Sequence, residues 1–279
     1  MTSTHLNLDN AWPTNPLGLP TTDALAWGPR IRYFAPEKLL NAFDAILSAL
    51  PPFVLYGSGD FHHLAARLLR RLTQPVTVIS FDNHPDFDIR PPRWACGGWV
   101  NRALELPTVQ HVAIWGCGNF ELNFPSILFA NRKALKTRRV EVHPWAERFS
   151  DKVQKHFPCM TRDTWRDHFE QFAKRLAGSS LYVTIDLDCL RAEEASTNWE
   201  SGLFTAADIA WALQTLRTHS PIVAGDLCGA YSPPMLERWT QRFASNWDHP
   251  KLPPISNEES TRRNLESLKT IWPTLNPEL

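Results

Sequence analysis

The sequence predicts an α/β protein, a three-layer α/β/α sandwich around a mostly parallel central sheet. Three observations carry this. Runs of β-formers that are apolar almost throughout alternate with segments of helical periodicity. Several of those runs stop at an aspartate or a glycine, and 279 residues are enough to cover a sheet on both faces.

Taken in chain order, Pro36 to Leu50 reads as a helix, and Val54-Leu55-Tyr56 as a short strand stopping at Gly57-Ser58-Gly59-Asp60. His62 to Leu72 reads as the next helix, and Val76-Thr77-Val78-Ile79-Ser80-Phe81 as a strand running directly into Asp82. Val112-Ala113-Ile114-Trp115 ends at Gly116. After a helix from Trp165 to Leu176, Leu181-Tyr182-Val183-Thr184-Ile185 reaches Asp186, and after a helix from Thr205 to Arg217, Pro221-Ile222-Val223-Ala224 reaches Gly225-Asp226. Strands without polar alternation belong to parallel sheets buried on both sides. Strand-helix-strand order implies right-handed crossovers, with ligands beyond the carboxyl ends of the strands. The 23 prolines concentrate in the first 20 residues, at Pro91-Pro92 and from Pro250 to Pro254. One domain is therefore expected over 1–279, with a Pro-rich arm to about residue 35 and a tail from about 248. Within the tail, Ser256 followed three residues later by Glu259 predicts a capping box opening a short helix.

Composition narrows the function classes. Twenty-nine basic residues balance 29 acidic ones, so no overall field favours nucleic acid or an anionic membrane surface, and a small-molecule partner is expected. The first residues carry no basic stretch leading into an apolar core, and no run approaches the ~20 apolar residues of a membrane span. A cytoplasmic location is expected. The five cysteines, Cys96, Cys117, Cys159, Cys189 and Cys228, are odd in number and scattered, unlike a zinc knuckle or a redox pair.

Two acidic stretches about a hundred residues apart, Asp82-Asn83-His84-Pro85-Asp86 and Asp186-Leu187-Asp188, each follow an apolar strand. In an extended chain the side chains at i and i+2 point the same way, so Asp82 with His84, and Asp186 with Asp188, can each face one ion. Carboxylates together with imidazole suit Mn, Fe or Zn. Four carboxylates with imidazoles exceed what one catalytic zinc needs, which favours a pair of ions.

These stretches, together with Gly57-Ser58-Gly59-Asp60-Phe61-His62 and with Ser201-Gly202-Leu203-Phe204-Thr205, resemble the metal motifs and following turn of the arginase, agmatinase and formimidoylglutamase family, the ureohydrolases. The resemblance spans roughly residues 50 to 235. It implies an arginase-like fold and two Mn²⁺ ions per chain. One would be held by His62, Asp82, Asp86 and Asp186, the other by His84, Asp82, Asp186 and Asp188. It further implies hydrolysis of a C–N bond in a guanidino or amidino compound, with a metal-bridging hydroxide as nucleophile. Asp86 would pass the proton, and Asp82 is the second catalytic residue. A homo-oligomer is compatible with the family. Phe61 is inserted before the histidine relative to the family pattern and His63 follows, so either imidazole is open as the ligand, with His62 favoured.

The substrate side departs further. Cys96-Gly97 stands where arginase-like members carry a histidine before a glycine. Gly229 stands where the family often has a guanidinium-gripping glutamate, which leaves Asp226 or Glu200 to supply the counter-charge. Cys96, Asn119, Glu200 and Asp226 are therefore the substrate-binding candidates. Arg90, Arg93, Asn101 and Arg102 are further candidates for a substrate carboxylate, and Trp94, Trp99, Trp115 and Trp199 for lining the site. Two other readings stay open: a deacetylase-like amide hydrolase of the same fold, and a metal-binding member without catalysis.

Overall fold

The computed structural model describes residues 2–253 and 255–277. Eight strands form one sheet: β1 (Ser3–Asn7), β2 (Thr21–Asp23), β3 (Phe53–Leu55), β4 (Val76–Phe81), β5 (Val109–Trp115), β6 (Val140–His143), β7 (Leu181–Asp186) and β8 (Ile222–Cys228). Their order is β2-β1-β3-β8-β7-β4-β5-β6, and every pairing is parallel.

The helices are α1 (Gly28–Ile31), α2 (Glu37–Leu47), α3 (Leu64–Leu69), α4 (Trp99–Ala103), α5 (Arg132–Lys136), α6 (Asp151–Gln154), α7 (Trp165–Arg175), α8 (Ala206–Arg217), α9 (Trp239–Asp248) and α10 (Asn257–Leu275). Period-2 geometry sends neighbouring strand residues to opposite faces. Val78, Ile114 and Tyr182 accordingly pack with Leu40 and Phe43 of α2 and Leu64 of α3. Ile79, Trp115 and Val183 pack with Phe169 of α7, Leu213 of α8 and Trp272 of α10. Continuous apolar strands are thus the consequence of two buried faces, and the α/β/α sandwich is the architecture observed.

Three strands were not expected. β1 is largely polar in sequence, and β2 and β6 are only three and four residues long. The stretch expected as an N-terminal arm instead extends the sheet, since β1 pairs with both β2 and β3. At the other end, the short helix expected in the tail is α10, 19 residues long, whose Leu268, Ile271 and Trp272 are core. Half of its capping box forms: Ser256 accepts from the Glu259 amide at 3.2 Å, while the Glu259 carboxylate turns to Arg262 and Arg263. Pro254, within the expected Pro-rich tail, lies outside the described residues, as do Met1, Glu278 and Leu279.

Candidate metal centre

The register brings the acidic strand ends together. In the β4–β7 ladder Phe81 faces Ile185, so Asp82 and Asp186 leave the sheet side by side, and Asp186 faces Cys228 at the end of β8. The loop after β3 turns through Gly59–Phe61 and delivers His62 just ahead of α3. Gly59 lies so close to Asp186 that a Cβ there would come within 2.5 Å of its Oδ2, which explains a residue without one.

Backbone amides aim the carboxylates. His84 N donates to Asp82 Oδ1 at 2.7 Å, Asn83 N to Asp188 Oδ1 at 3.0 Å, and Asp188 N to Asp186 Oδ1 at 3.1 Å. Asp86 has φ 46°, a left-handed conformation that Asp tolerates better than most residues, and this turn puts its side chain back toward the cluster.

His62 Nδ1 lies 3.2 Å from Asp82 Oδ2, 3.2 Å from Asp86 Oδ2 and 3.6 Å from Asp186 Oδ2. His84 Nδ1 lies 2.8 Å from Asp188 Oδ2 and 3.7 Å from Asp82 Oδ1. Two donor groups, His62-Asp82-Asp86 and Asp82-His84-Asp188, are compact enough to hold ions and share Asp82.

So many acids in one buried place perturb one another. Burial and the neighbouring Asp82 push Asp86 up to about 6. Burial and Asp188 hold Asp186 well above the carboxylate range, and burial with Asp82 raises Asp188. Burial would also raise Asp82, but the His62 and His84 imidazoles bring it to about 2. Burial alone would lower both imidazoles; the facing carboxylates hold each well above its ordinary value. Buried His62 Nδ1 and Asp82 Oδ2 make no hydrogen bond. Once the imidazole proton leaves, His62 Nδ1 and Asp82 Oδ2 offer buried lone pairs among clustered carboxylates, and a divalent cation fits there because it occupies them and neutralises the charge.

A second layer orients His62. Thr184 Oγ1 donates to Asp226 Oδ1 at 2.8 Å, so it accepts from His62 Nε2–H at 2.9 Å, which turns Nδ1 toward the acids. Asp226 also accepts Tyr56 Oη–H at 2.8 Å and the Tyr182 hydroxyl. A third compact group, His62-Asp226-Cys228, is therefore already satisfied at its carboxylate. Asp226, expected as a substrate counter-charge, lies behind His62 and not among the residues lining the cleft; its two oxygens are spent on three hydroxyls. His63 is buried and belongs to none of these compact donor groups among the described residues, and burial lowers it to about 3.

Above the acids opens a cleft of about 390 Å³. Cys96, Asn119 and Glu200 line it, Glu200 Oε2 standing 3.5 Å from His84 Nε2. Gly229 has φ +99°, and a Cβ there would lie 2.4 Å from Leu187 N, so no side chain of any kind fits where a glutamate was sought.

Of the four tryptophans, Trp199 lines the cleft, edge-on to His84 at 5.3 Å, and Trp99 packs on His62 at 4.9 Å. Trp115 is core, stacked on His143, and Trp94 is buried under Arg67. Arg93 and Arg102 bind Glu105, and Asn101 bonds the Asp88 carbonyl, so of the arginine and Asn101 candidates only Arg90 reaches the cleft. Sequence reasoning missed Glu121, Phe243, Trp247 and Asp248, which also line it. The four-residue spacing of Trp239, Phe243 and Trp247 was a legible signal of a one-sided aromatic helix. A larger groove of about 1140 Å³, lined by residues such as Leu128, Leu135 and Phe157, contains none of the six ligand candidates.

No family model matches the chain. An uncharacterized protein of Thermotoga maritima is 26% identical over 213 residues, covering 75% of this chain and 70% of its own. Among solved structures, the arginase of Bacillus subtilis superposes with a TM-score of 0.55 at 13% identity, covering 97% of each chain. The agmatine ureohydrolase of Thermoplasma volcanium gives 0.54 at 12% identity, over 98% of this chain and 89% of its own. The formimidoylglutamase of Bacillus subtilis gives 0.53 at 15% identity, over 96% and 86%. The chain has the fold of these ureohydrolases. Among the described residues, no helix is long and apolar enough to cross a membrane.

Proposed function

We propose that this ureohydrolase-fold chain is a divergent metal-dependent hydrolase of a C–N bond in a small guanidino or amidino compound, formed by one domain and using two Mn²⁺ ions. One observation carries the reading: two buried imidazole-carboxylate groups share Asp82 at the carboxyl ends of the central strands and open onto a cleft. His62, Asp82, Asp86 and Asp186 would hold one ion, and His84, Asp82, Asp186 and Asp188 the other. Bound there, the ions would supply Lewis-acid polarisation and acidify water near neutral pH.

The chain's own groups account for the proton. Asp86 Oδ2 faces His62, while Oδ1 lies on the side of Gly97, which lines the cleft. Asp86 Oδ1 accepts a proton from the attacking water and returns it to the leaving nitrogen. For a guanidinium the balance is one water consumed, with urea and the protonated amine released. Asn119, whose Nδ2 is buried without a partner, donates to the substrate, and Trp199 excludes bulk water beside His84.

The test is elemental analysis of protein prepared with and without manganese, beside Asp186→Ala, followed by urea release from a guanidine panel. Two Mn per chain, lost in the variant, with urea formed, is expected. A single zinc with acetate released from acetylamides would replace this reading by the deacetylase-like one.

A further inference from the structure

The cleft walls bear on what the substrate carries beyond its reacting group. Besides Asp82, His84, Asp86, Asp186 and Asp188, four acidic residues line the cleft: Asp88, Glu121, Glu200 and Asp248. Among the described residues lining it, Arg90 is the one arginine or lysine, and it is engaged twice, on Asp88 with Nε–Oδ2 2.8 Å and over the Phe129 ring at 4.2 Å. Burial pushes the Glu121 carboxyl up to about 8, so near pH 7 it adds polarity but little negative charge to the wall. A substrate carboxylate on the cleft wall, away from the reacting group, would stand beside these acids with no unengaged arginine or lysine to meet it, at a cost in desolvation and repulsion.

The remaining wall is aromatic. Phe120, Phe243 and Trp247 all line the cleft yet are 59%, 70% and 88% exposed. Phe243 and Trp247 stand one turn apart on α9, on the face that also carries Trp239 at 72% exposure. Large exposed aromatics gathered at the mouth of one cleft mark a surface that a ligand covers, and their faces favour a cation or an apolar body over an anion.

We propose that the substrate is an arylalkyl guanidine or amidine without a carboxylate, its cationic end on the acidic floor and its aromatic body against Phe120, Phe243 and Trp247. This deepens the reading above and rests on it for the reaction, but the binding preference is separable. The two compounds that decide are a phenylalkyl guanidine and a guanidinoalkanoate of equal chain length, offered to the manganese-loaded full chain. Urea release is measured for turnover and isothermal calorimetry for binding.

The arylalkyl compound is expected to lead by tenfold or more in kcat/KM, mainly through KM. Phe243→Ala/Trp247→Ala, altering two exposed side chains, is expected to erase most of that lead by raising KM while kcat holds. If neither compound is hydrolysed but the arylalkyl one binds and the double variant weakens it tenfold, the reaction falls and the substrate class stands. Hydrolysis led by the guanidinoalkanoate, an unchanged preference in the double variant, or no binding of the arylalkyl compound would each overturn the inference.

Discussion

At the scale of single residues, His62, Asp86 and Asp226 show how one side chain's work depends on another's. The hydroxyl of Thr184 lies between the His62 ring and Asp226 and fixes which nitrogen faces the acids. Thr184→Val keeps the volume and removes that link. Manganese affinity is expected to drop by about 10- to 100-fold, read by competition with a metallochromic chelator; unchanged affinity would mean that the hydroxyl merely fills space. Asp86→Asn tests the proton role. It should retain most of the metal while urea release slows by about 100-fold or more, and near-normal turnover would remove Asp86 from the chemistry. That Asp82 and its neighbours would meet the Asp186 pair was legible because strand geometry and residue type both point at them, whereas His62 came only from the resemblance of its motif. Asp226 misled because an aspartate at the end of a strand looks alike from sequence whether it meets solvent or, as here, the hydroxyls of Tyr56 and Tyr182.

At the scale of elements, α9 forms one wall of the cleft, and a buried network holds it there. Asp60 pairs with Arg32 at 2.7 Å and with His249, just past the end of α9, at 2.7 Å, and it accepts from Trp199 Nε1 at 3.2 Å. Tyr33 Oη–H donates to Asp248 at 2.6 Å. Burial would raise Asp60, but Arg32 and His249 hold it well below the ordinary carboxylate range. A depressed carboxylate contributes stability that is present above its unfolded value, near 4, and is lost as pH falls through its folded one. Asp60→Asn removes the close counter-charge of buried Arg32 and leaves it only Asp9 Oδ2, 3.9 Å from Nη1. A loss of about 3–5 kcal/mol and roughly 10 °C in Tm is expected near pH 7, shrinking in acid, with metal content retained. A Tm within about 2 °C of the parent would show that the pair is dispensable. The network was invisible in the sequence because Arg32, Asp60 and His249 share no motif or period. Strands β1, β2 and β6 escaped for a related reason, since neighbours in space, not local propensity, hold short or polar strands in a sheet.

At the scale of the whole molecule, the central strands β4 and β7 were read to within a residue because their pattern needs no partner to be recognised, and the sandwich followed from them. The same central position governs how metal couples to stability. Raised acids such as Asp86, near 6, and the raised His62 and His84 rings bind protons that a cation must displace. The Tm gap between manganese-loaded and chelated protein should therefore widen as pH rises from about 4 to 7, by mass action. A gap independent of pH in differential scanning calorimetry would mean that these groups are not the ligands.

The groups of the candidate metal centre also come from far apart in the chain: 122 residues separate His62 from Thr184, the hydroxyl that orients it, and 104 separate His84 from Asp188. Their meeting requires β7 to be seated between β8 and β4, a long-range closure that parallel sheets complete slowly. An ion can grip only after that closure, so it acts on escape from the native state and not on the search for it. Manganese should lengthen the unfolding half-life in denaturant many-fold while leaving the refolding limb of the chevron where it was.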